Sequence, residues 1–371
     1  MNLKGIKSAI KHNLVNTPHI PITIEGEPGT GKTSAVFQAG EEYASDHDLI
    51  FHEGLVDEPR DDMFCIVSVA VPLKLVEDFG IPHFDGDNAR FHYRMPDWFP
   101  IEGRSPSKGI LLFDDRNQAT PDIQKVLANI QYDRKLHGTP LAKGWSIVNT
   151  GNRASDRAGS NRVLSHLRDR EVVLNHTFDL DEWRSFADAS GAHESIIAYS
   201  HWRPDNIQHF DPARDVNPTA RSWLWGVNSV LPWVTNDKTY MHSVLSGIVG
   251  EGVAAEFVGF YDMYKDLPDP QWILATEENA KTVPLPPKEK PDQIIAIVIA
   301  LAKKTNGDNL KAGLTFARRL RDMGFEFELL YYKRLVKEES NKQASAIITN
   351  PLFINGVLSD PDVSKVLRGE F

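Results

Sequence analysis

The stretch "HIPITIEGEPGTGKTSAVFQAG", residues 19–40, limits what this chain can fold into more than any other. Its first part, "HIPITIEG", alternates and ends in glycine, as a buried strand running into a loop does, and "KTSAVFQAGEEYASD" at 32–46 has helical spacing. Between them "GEPGTGKT" at 26–33 fits G-x-x-x-x-G-K-[ST] in the strand–loop–helix setting that gives the pattern its meaning. Gly26, Gly29 and Gly31 let the backbone curl until its N–H groups point at phosphate oxygens, at the positive end of the following helix. The cradle so read runs through Gly26, Glu27, Pro28, Gly29, Thr30, Gly31, Lys32, Thr33 and Ser34. Lys32 supplies a point charge for the β- and γ-phosphates of ATP, and the Thr33 hydroxyl is placed to ligate Mg²⁺.

A phosphate loop of this kind needs an acidic strand, and "GILLFDDRNQA" at 109–119 supplies four apolar residues running into two aspartates. Asp114 at the strand end would hold Mg²⁺, and Asp115 would face the attacking water. The next strand, "WSIVNTGN", ends at Asn152, where an amide could orient the same water. Asparagine after a strand is by type an ordinary turn residue; its position is what gives it interest.

Around these motifs the pattern is α/β. Residues 3–14 read as an amphipathic helix, "PDIQKVLANIQYD" (121–133) as another, and "RKLHGTPLAKG" (134–144) as a hairpin. From about 50 to 108 aromatics, prolines and glycines leave no clean period, so this stretch reads as an insertion presenting loops. Alternating strands and helices predict a parallel sheet with ligands at the carboxyl ends of its strands. Beyond about 180 helical spacing takes over, interrupted by "TVPLPPKEKP" at 282–291, which reads as a stiff connector.

Composition excludes several functions. The formal net charge of −10 argues against coating nucleic acid, which rests on Lys and Arg neutralising phosphates. Thirteen histidines form no HExxH or Cys/His cluster, and "DGDN" at 85–88 lacks the offsets of a calcium loop. The single Cys65, in the apolar run "MFCIVSVAV", reads as a buried small hydrophobe. The longest apolar run, "IIAIVIALA" at 294–302, is far short of the roughly 20 residues of a membrane span, and "MNLKGIKSAI" lacks a signal peptide's apolar core. No membrane association and a cytoplasmic location are expected.

Taken in order, "GEPGTGKT", "GILLFDDRNQA", "NTGNRASDRAG", "HFDPARD" and "NPTARSW" resemble the MoxR-like AAA+ ATPases, in particular the bacterial and phage group often encoded beside a von Willebrand factor A-domain protein. The resemblance runs from about Gly5 to about Val357. It implies an α/β P-loop NTPase core with a parallel sheet flanked by helices and carrying insertion loops, followed by an α-helical lid and a helical C-terminal region. The core would span 1–178, with an insertion at about 50–108 and a hairpin at about 134–144, both projecting toward the channel of a ring. The lid would span 179–281, the connector 282–291 and the C-terminal region 292–371.

Carried over residue by residue, the resemblance makes Lys32 and Thr33 the phosphate and magnesium ligands, Asp114 and Asp115 the acidic pair, and Asn152 the first sensor. It places an arginine that reaches a neighbour's nucleotide on Arg170 in "SHLRDREVVL". Here "RDRE" departs from the family's "NRF", which leaves Arg168 and Arg162 as alternatives. Arg221 in "TARSW" matches the second sensor, on the lid. Asp115 departs too, standing where the family has glutamate. The missing methylene draws the carboxylate back by about 1.5 Å, whereas a base must lie within about 2.6–3.2 Å of its water. A small strand shift or one relayed water makes up the gap, so Asp115 is expected to be a working, slower base.

The function these residues imply is a Mg²⁺-dependent ATPase, a ring that family likeness makes hexameric, remodelling or activating a separate protein partner such as an A-domain protein. Two alternatives stay open. One is a nucleic-acid motor or loader using Lys135, His137 and Lys143 on the hairpin, and the other a nucleotide-gated scaffold that hydrolyses little.

Overall fold

The apolar runs "MFCIVSVA" and "KGILLFD" lie side by side as parallel strands, β3 (Met63–Ala70) and β6 (Lys108–Asp114), with Cys65 opposite Gly109 and Ala70 opposite Asp114. They belong to a six-stranded sheet in the computed structural model, which describes residues 1–85, 90–153 and 169–368. Its other strands are β1 (Ile22–Glu25), β2 (Ile50–Glu53), β9 (Gly144–Gly151) and β10 (Val172–Asn175). The order is β10-β1-β9-β6-β3-β2, every pairing parallel. The strand β9 therefore lies between the strand that feeds the phosphate loop and the strand that ends in the acidic pair. All these strands end at one edge of the sheet, where Glu25 is level with Gly151 and Asn175.

Helices cover both faces, which is why the central strands are apolar without alternation. On one face Ile110 and Leu112 join Ile24, Phe64 and Val148 beneath α1 (Leu3–Asn16) and α2 (Lys32–Asp46). On the other, Leu111, Phe113 and Val67 pack with Ile123 and Leu127 of α3 (Pro121–Asp133). Cys65 is fully buried in this second layer, and burial pushes its thiol up to about 11. Two small antiparallel hairpins accompany the sheet. One is formed by β4 (Ile81–Asp85) and β5 (Arg90–Arg94), the other by β7 (Lys135–Leu136) and β8 (Thr139–Pro140).

The expected fold class is the one found: a parallel α/β P-loop core, then a helical region. The boundaries need correction in two places. Residues 50–70 are not part of an insertion, because β2 and β3 are sheet strands; the segment between Ala70 and Lys108 is what interrupts the core. The connector at 282–291 does not divide one unit from another. It lies within the second of the chain's two units, Leu180–His209 with Arg214–Phe371, the first being Met1–Asp179 with Phe210–Ala213. There Val283 is buried, and Arg319 donates to the carbonyls of Ala280 and Val283 at 2.7 and 2.8 Å.

The second unit is built of helices, and among the described residues no strand lies beyond Asn175. One apolar cluster joins Ile273 and Leu274 to Ile294, Ile297, Phe316, Tyr331 and Phe353, so that the expected lid and C-terminal stretches share a core. A buried ion pair, Arg334 with Asp188 at 2.8 Å, adds a link between residues 146 apart. None of the described helices is long and apolar enough to cross a membrane.

Gly109 gives a direct test of the strand register. A methyl group there would meet the Cys65 carbonyl oxygen at 2.5 Å and the Trp145 ring at 2.8 Å. Backbone cannot yield as a side-chain tip does, so Gly109→Ala is expected to lower stability by about 1–3 kcal/mol. A urea titration checks this through the unfolding midpoint; an unchanged or raised midpoint would contradict the packing of β3 on β6.

Candidate functional site

The loop after β1 turns through left-handed backbone at Gly29 (φ 74°) and Gly31 (φ 89°), where a side chain would be strained. Gly31 caps α2, which begins at Lys32, so the first N–H groups of that helix open onto the loop. Thr30 is buried and ties the loop down by donating to the Glu27 carbonyl at 2.9 Å. Pro28 lies on the same turn, and Ser34 is exposed on α2. Lys32 is 6% exposed. Its Nζ donates to the carbonyls of Gly26 (2.9 Å) and Glu27 (2.7 Å) and to Asn152 Oδ1 (3.1 Å).

The acidic strand meets the loop directly. Thr33 Oγ1 donates to Asp114 Oδ1 at 2.8 Å, joining residues 81 apart. Thr150 on β9 also donates to Asp114 Oδ1, and its Oγ1 accepts the Asp115 backbone N–H at 3.1 Å. Asp115 itself has φ 52° and ψ 39°, a left-handed conformation that aspartate and asparagine tolerate better than most residues. The chain turns sharply there into a short helical turn, Arg116–Gln118.

Asn152 is held from below. Asn117 Nδ2 donates to the Asn152 carbonyl, and Asn117 Oδ1 accepts the Asn152 N–H at 3.2 Å. This double contact needs glycine at 151, where a methyl group would lie 2.9 Å from Asn117 Oδ1. Arg153 pairs with Glu27 of the loop at 2.8 Å, both about one-third exposed, an arrangement worth little in stability.

Loop, acidic strand and the end of β9 therefore converge: side-chain hydrogen bonds join Lys32 to Asn152 and Thr33 to Asp114, with Asp115 adjacent. The donor set suits a phosphate group with a hard cation, since a hydroxyl and a carboxylate oxygen are the ligands Mg²⁺ takes. Thr33 and Asp114 would hold that ion, and Lys32 with the loop N–H groups the phosphates.

Arg170 is exposed, with its guanidinium 4.7 Å from the centroid of the Tyr132 ring. Burial, aided by the Glu171 carboxylate, pushes the Tyr132 phenol up to about 12, so the ring faces the cation as a neutral group. Arg162 and Arg168 lie outside the described residues. Arg221 belongs to the second unit, exposed at the start of a π-helical turn, Ser222–Val227.

Sequence reading missed four groups here: Thr150, Asn117, Arg153 and the buried pair of Arg116 with Glu171. Thr150 had a signal, as a hydroxyl two residues before Asn152 in "NTGN". The others are polar residues in polar stretches, and only the fold shows what they meet.

No family model matches the chain, and no curated protein matches it. Among solved structures it is similar to NtrX from Brucella abortus, at 14% identity and TM-score 0.36 over 64% of this chain and 52% of that one. The chain thus spans about half the length of NtrX. A Thermotoga maritima RuvB mutant gives 13% and 0.37, covering 89% and 87% of the two chains. A DNA replication initiation factor gives 14% and 0.33, covering 89% and 92%. Likenesses this distant say nothing of what the chain binds.

Proposed function

We propose that this chain is a Mg²⁺-dependent ATPase of the AAA+ class, MoxR-like in its motifs, which works as a head-to-tail ring and remodels a partner protein. The observation that carries the reading is the 2.8 Å hydrogen bond from Thr33 to Asp114 beside the Lys32–Asn152 contact. It brings the hydroxyl and the carboxylate that a magnesium-bound nucleotide requires to one point. Bound Mg²⁺ supplies neutralisation of phosphate charge. Lys32 and the loop N–H groups hold the phosphates in line, Asp115 accepts the proton of the attacking water, and Asn152 orients that water. Arg170 serves a neighbour's nucleotide and Arg221 its own subunit's, so activity requires assembly. An arginine given in trans implies a heterologous interface, which closes into a ring when the rotation fits, six subunits being the family's usual number. The acidic balance favours a protein client, such as one with a von Willebrand factor A domain, over nucleic acid.

The test is phosphate release from ATP with Mg²⁺, by the full chain and by Lys32→Ala, with fluorescent DNA titrated at two salt concentrations. Turnover is expected in the parent chain, falling by about 10²–10³ in the variant, and DNA binding is expected to be weak. Absence of turnover in the parent would establish the scaffold reading. A tight, salt-dependent DNA complex that raises turnover would establish the motor.

A further inference from the structure

Arginine in a surface turn is ordinarily solvated, yet the Arg116 side chain is 2% exposed and that of its partner Glu171 1%. The two meet end-on, Nη1 to Oε2 at 2.5 Å and Nη2 to Oε1 at 3.0 Å, the forked geometry that fixes orientation as well as distance. Neighbours take up part of their remaining capacity. Thr23 Oγ1 donates to Glu171 Oε2 at 2.8 Å, and Arg116 Nη1 donates to Gln131 Oε1 at 3.3 Å. Gln131 Nε2 donates to Asn149 Oδ1 at 2.7 Å, and Asn149 Nδ2 to Thr23 Oγ1 at 3.0 Å, closing a cycle. The cycle ties β1, β9 and α3 to the turn after β6 and to the residue before β10.

What matters is which residues the pair adjoins. Arg116 follows Asp115 directly, and Glu171 follows Arg170 directly. Consecutive Cα atoms are about 3.8 Å apart across a planar peptide, so a shift at either end of the pair is passed to the neighbouring residue. The cluster's other contacts point the same way. Tyr132, next to Gln131, carries the Arg170 guanidinium, and Asn117, next to Arg116, grips Asn152.

We infer that the Arg116–Glu171 pair is a positioning device that ties the setting of Asp115, which serves the subunit's own nucleotide, to the setting of Arg170, which is offered to the neighbour's. The inference rests on the shared-site reading above. Neither residue is among Lys32, Thr33, Asp114 and Asn152, whose side chains meet at the phosphate loop. The pair makes the base of one site and the arginine of the next move as one body.

Mixed assemblies of the full chain test it. Arg170→Ala subunits keep a base but give no arginine, and Asp115→Asn subunits give an arginine but keep no base. Each alone is inactive, and the mixture is expected to recover turnover where the second kind serves the first. Crosswise substitutions are then added: Arg116→Gln in the Asp115→Asn subunit, whose own site is already silent, and Glu171→Gln in the Arg170→Ala subunit, whose own arginine is already gone. Either addition is expected to lower the recovered turnover by about 2- to 30-fold, with fluorescent-ADP affinity and melting temperature kept. Unchanged recovery would overturn the coupling, because a pair serving only the fold, or only its nearer neighbour, has no route to these readouts. Should a single change unfold its subunit, Arg116→Met with Glu171→Leu leaves no buried charge, and undiminished recovery by it in both placements would likewise overturn the coupling. No recovery in the unmodified mixture overturns the shared-site reading, and the coupling with it.

Discussion

Arg170→Ala is expected to bind ATP as the parent chain does and to lose about 10³–10⁵ in turnover, the usual worth of an arginine supplied to a phosphoryl-transfer site. The side chain is exposed, and its guanidinium rests on the Tyr132 ring, which holds the cation without burying it. Truncation at such a position removes no core contact, so the loss is one of rate and not of fold. Fluorescent-ATP titration and phosphate release measure the two quantities separately. Small amounts of the variant mixed into parent protein are expected to depress activity more steeply than dilution does, because each variant subunit silences a neighbour. Normal turnover in Arg170→Ala together with an inactive Arg168→Ala would move the role to Arg168.

The second large effect is at Asp115. Asparagine has the same shape and the same tolerance of left-handed backbone, so Asp115→Asn leaves the φ 52° turn and the N–H bond to Thr150 in place. Asp114 and the phosphate loop are untouched, and nucleotide binding is expected to persist. Turnover is expected to fall by about 10²–10⁴, the worth of a positioned base. Asp115→Glu keeps a carboxylate but advances it by about 1.5 Å at a backbone setting glutamate tolerates less well, and is expected to lose less than the asparagine. Parent-like hydrolysis by Asp115→Asn would remove the residue from the role of base.

The left-handed turn also shows what the sequence could and could not disclose. "GEPGTGKT" between an alternating strand and a helix is a local pattern with a local cause, and Gly29 and Gly31 take the backbone angles it requires. The acidic strand was legible for the same reason. A one-residue feature such as φ at Asp115 leaves no trace in composition or period. Strand β3 was hidden differently. A parallel strand covered on both faces has no alternation, and Met63–Ala70 borders an irregular stretch that draws it into the apparent insertion. In 282–291 the prolines suggested stiffness but could not say that Arg319 would hold the adjoining carbonyls. Arg116 and Glu171, 55 residues apart, look like two solvated charges until the sheet order brings them together.

That pair also bears on descent. Removing one member of a buried ion pair costs about 3–5 kcal/mol, since the other is left charged and alone. This is a large part of the 5–15 kcal/mol or so by which a domain is stable. Replacing both by apolar residues of similar volume is often nearly neutral. The two positions therefore form a ratchet: a lineage leaves the charged arrangement by a double step or through a poorly folded intermediate. On stability alone, the positions of Arg116 and Glu171 should be filled among relatives of this chain by two charges or by two apolar residues, and seldom by one of each.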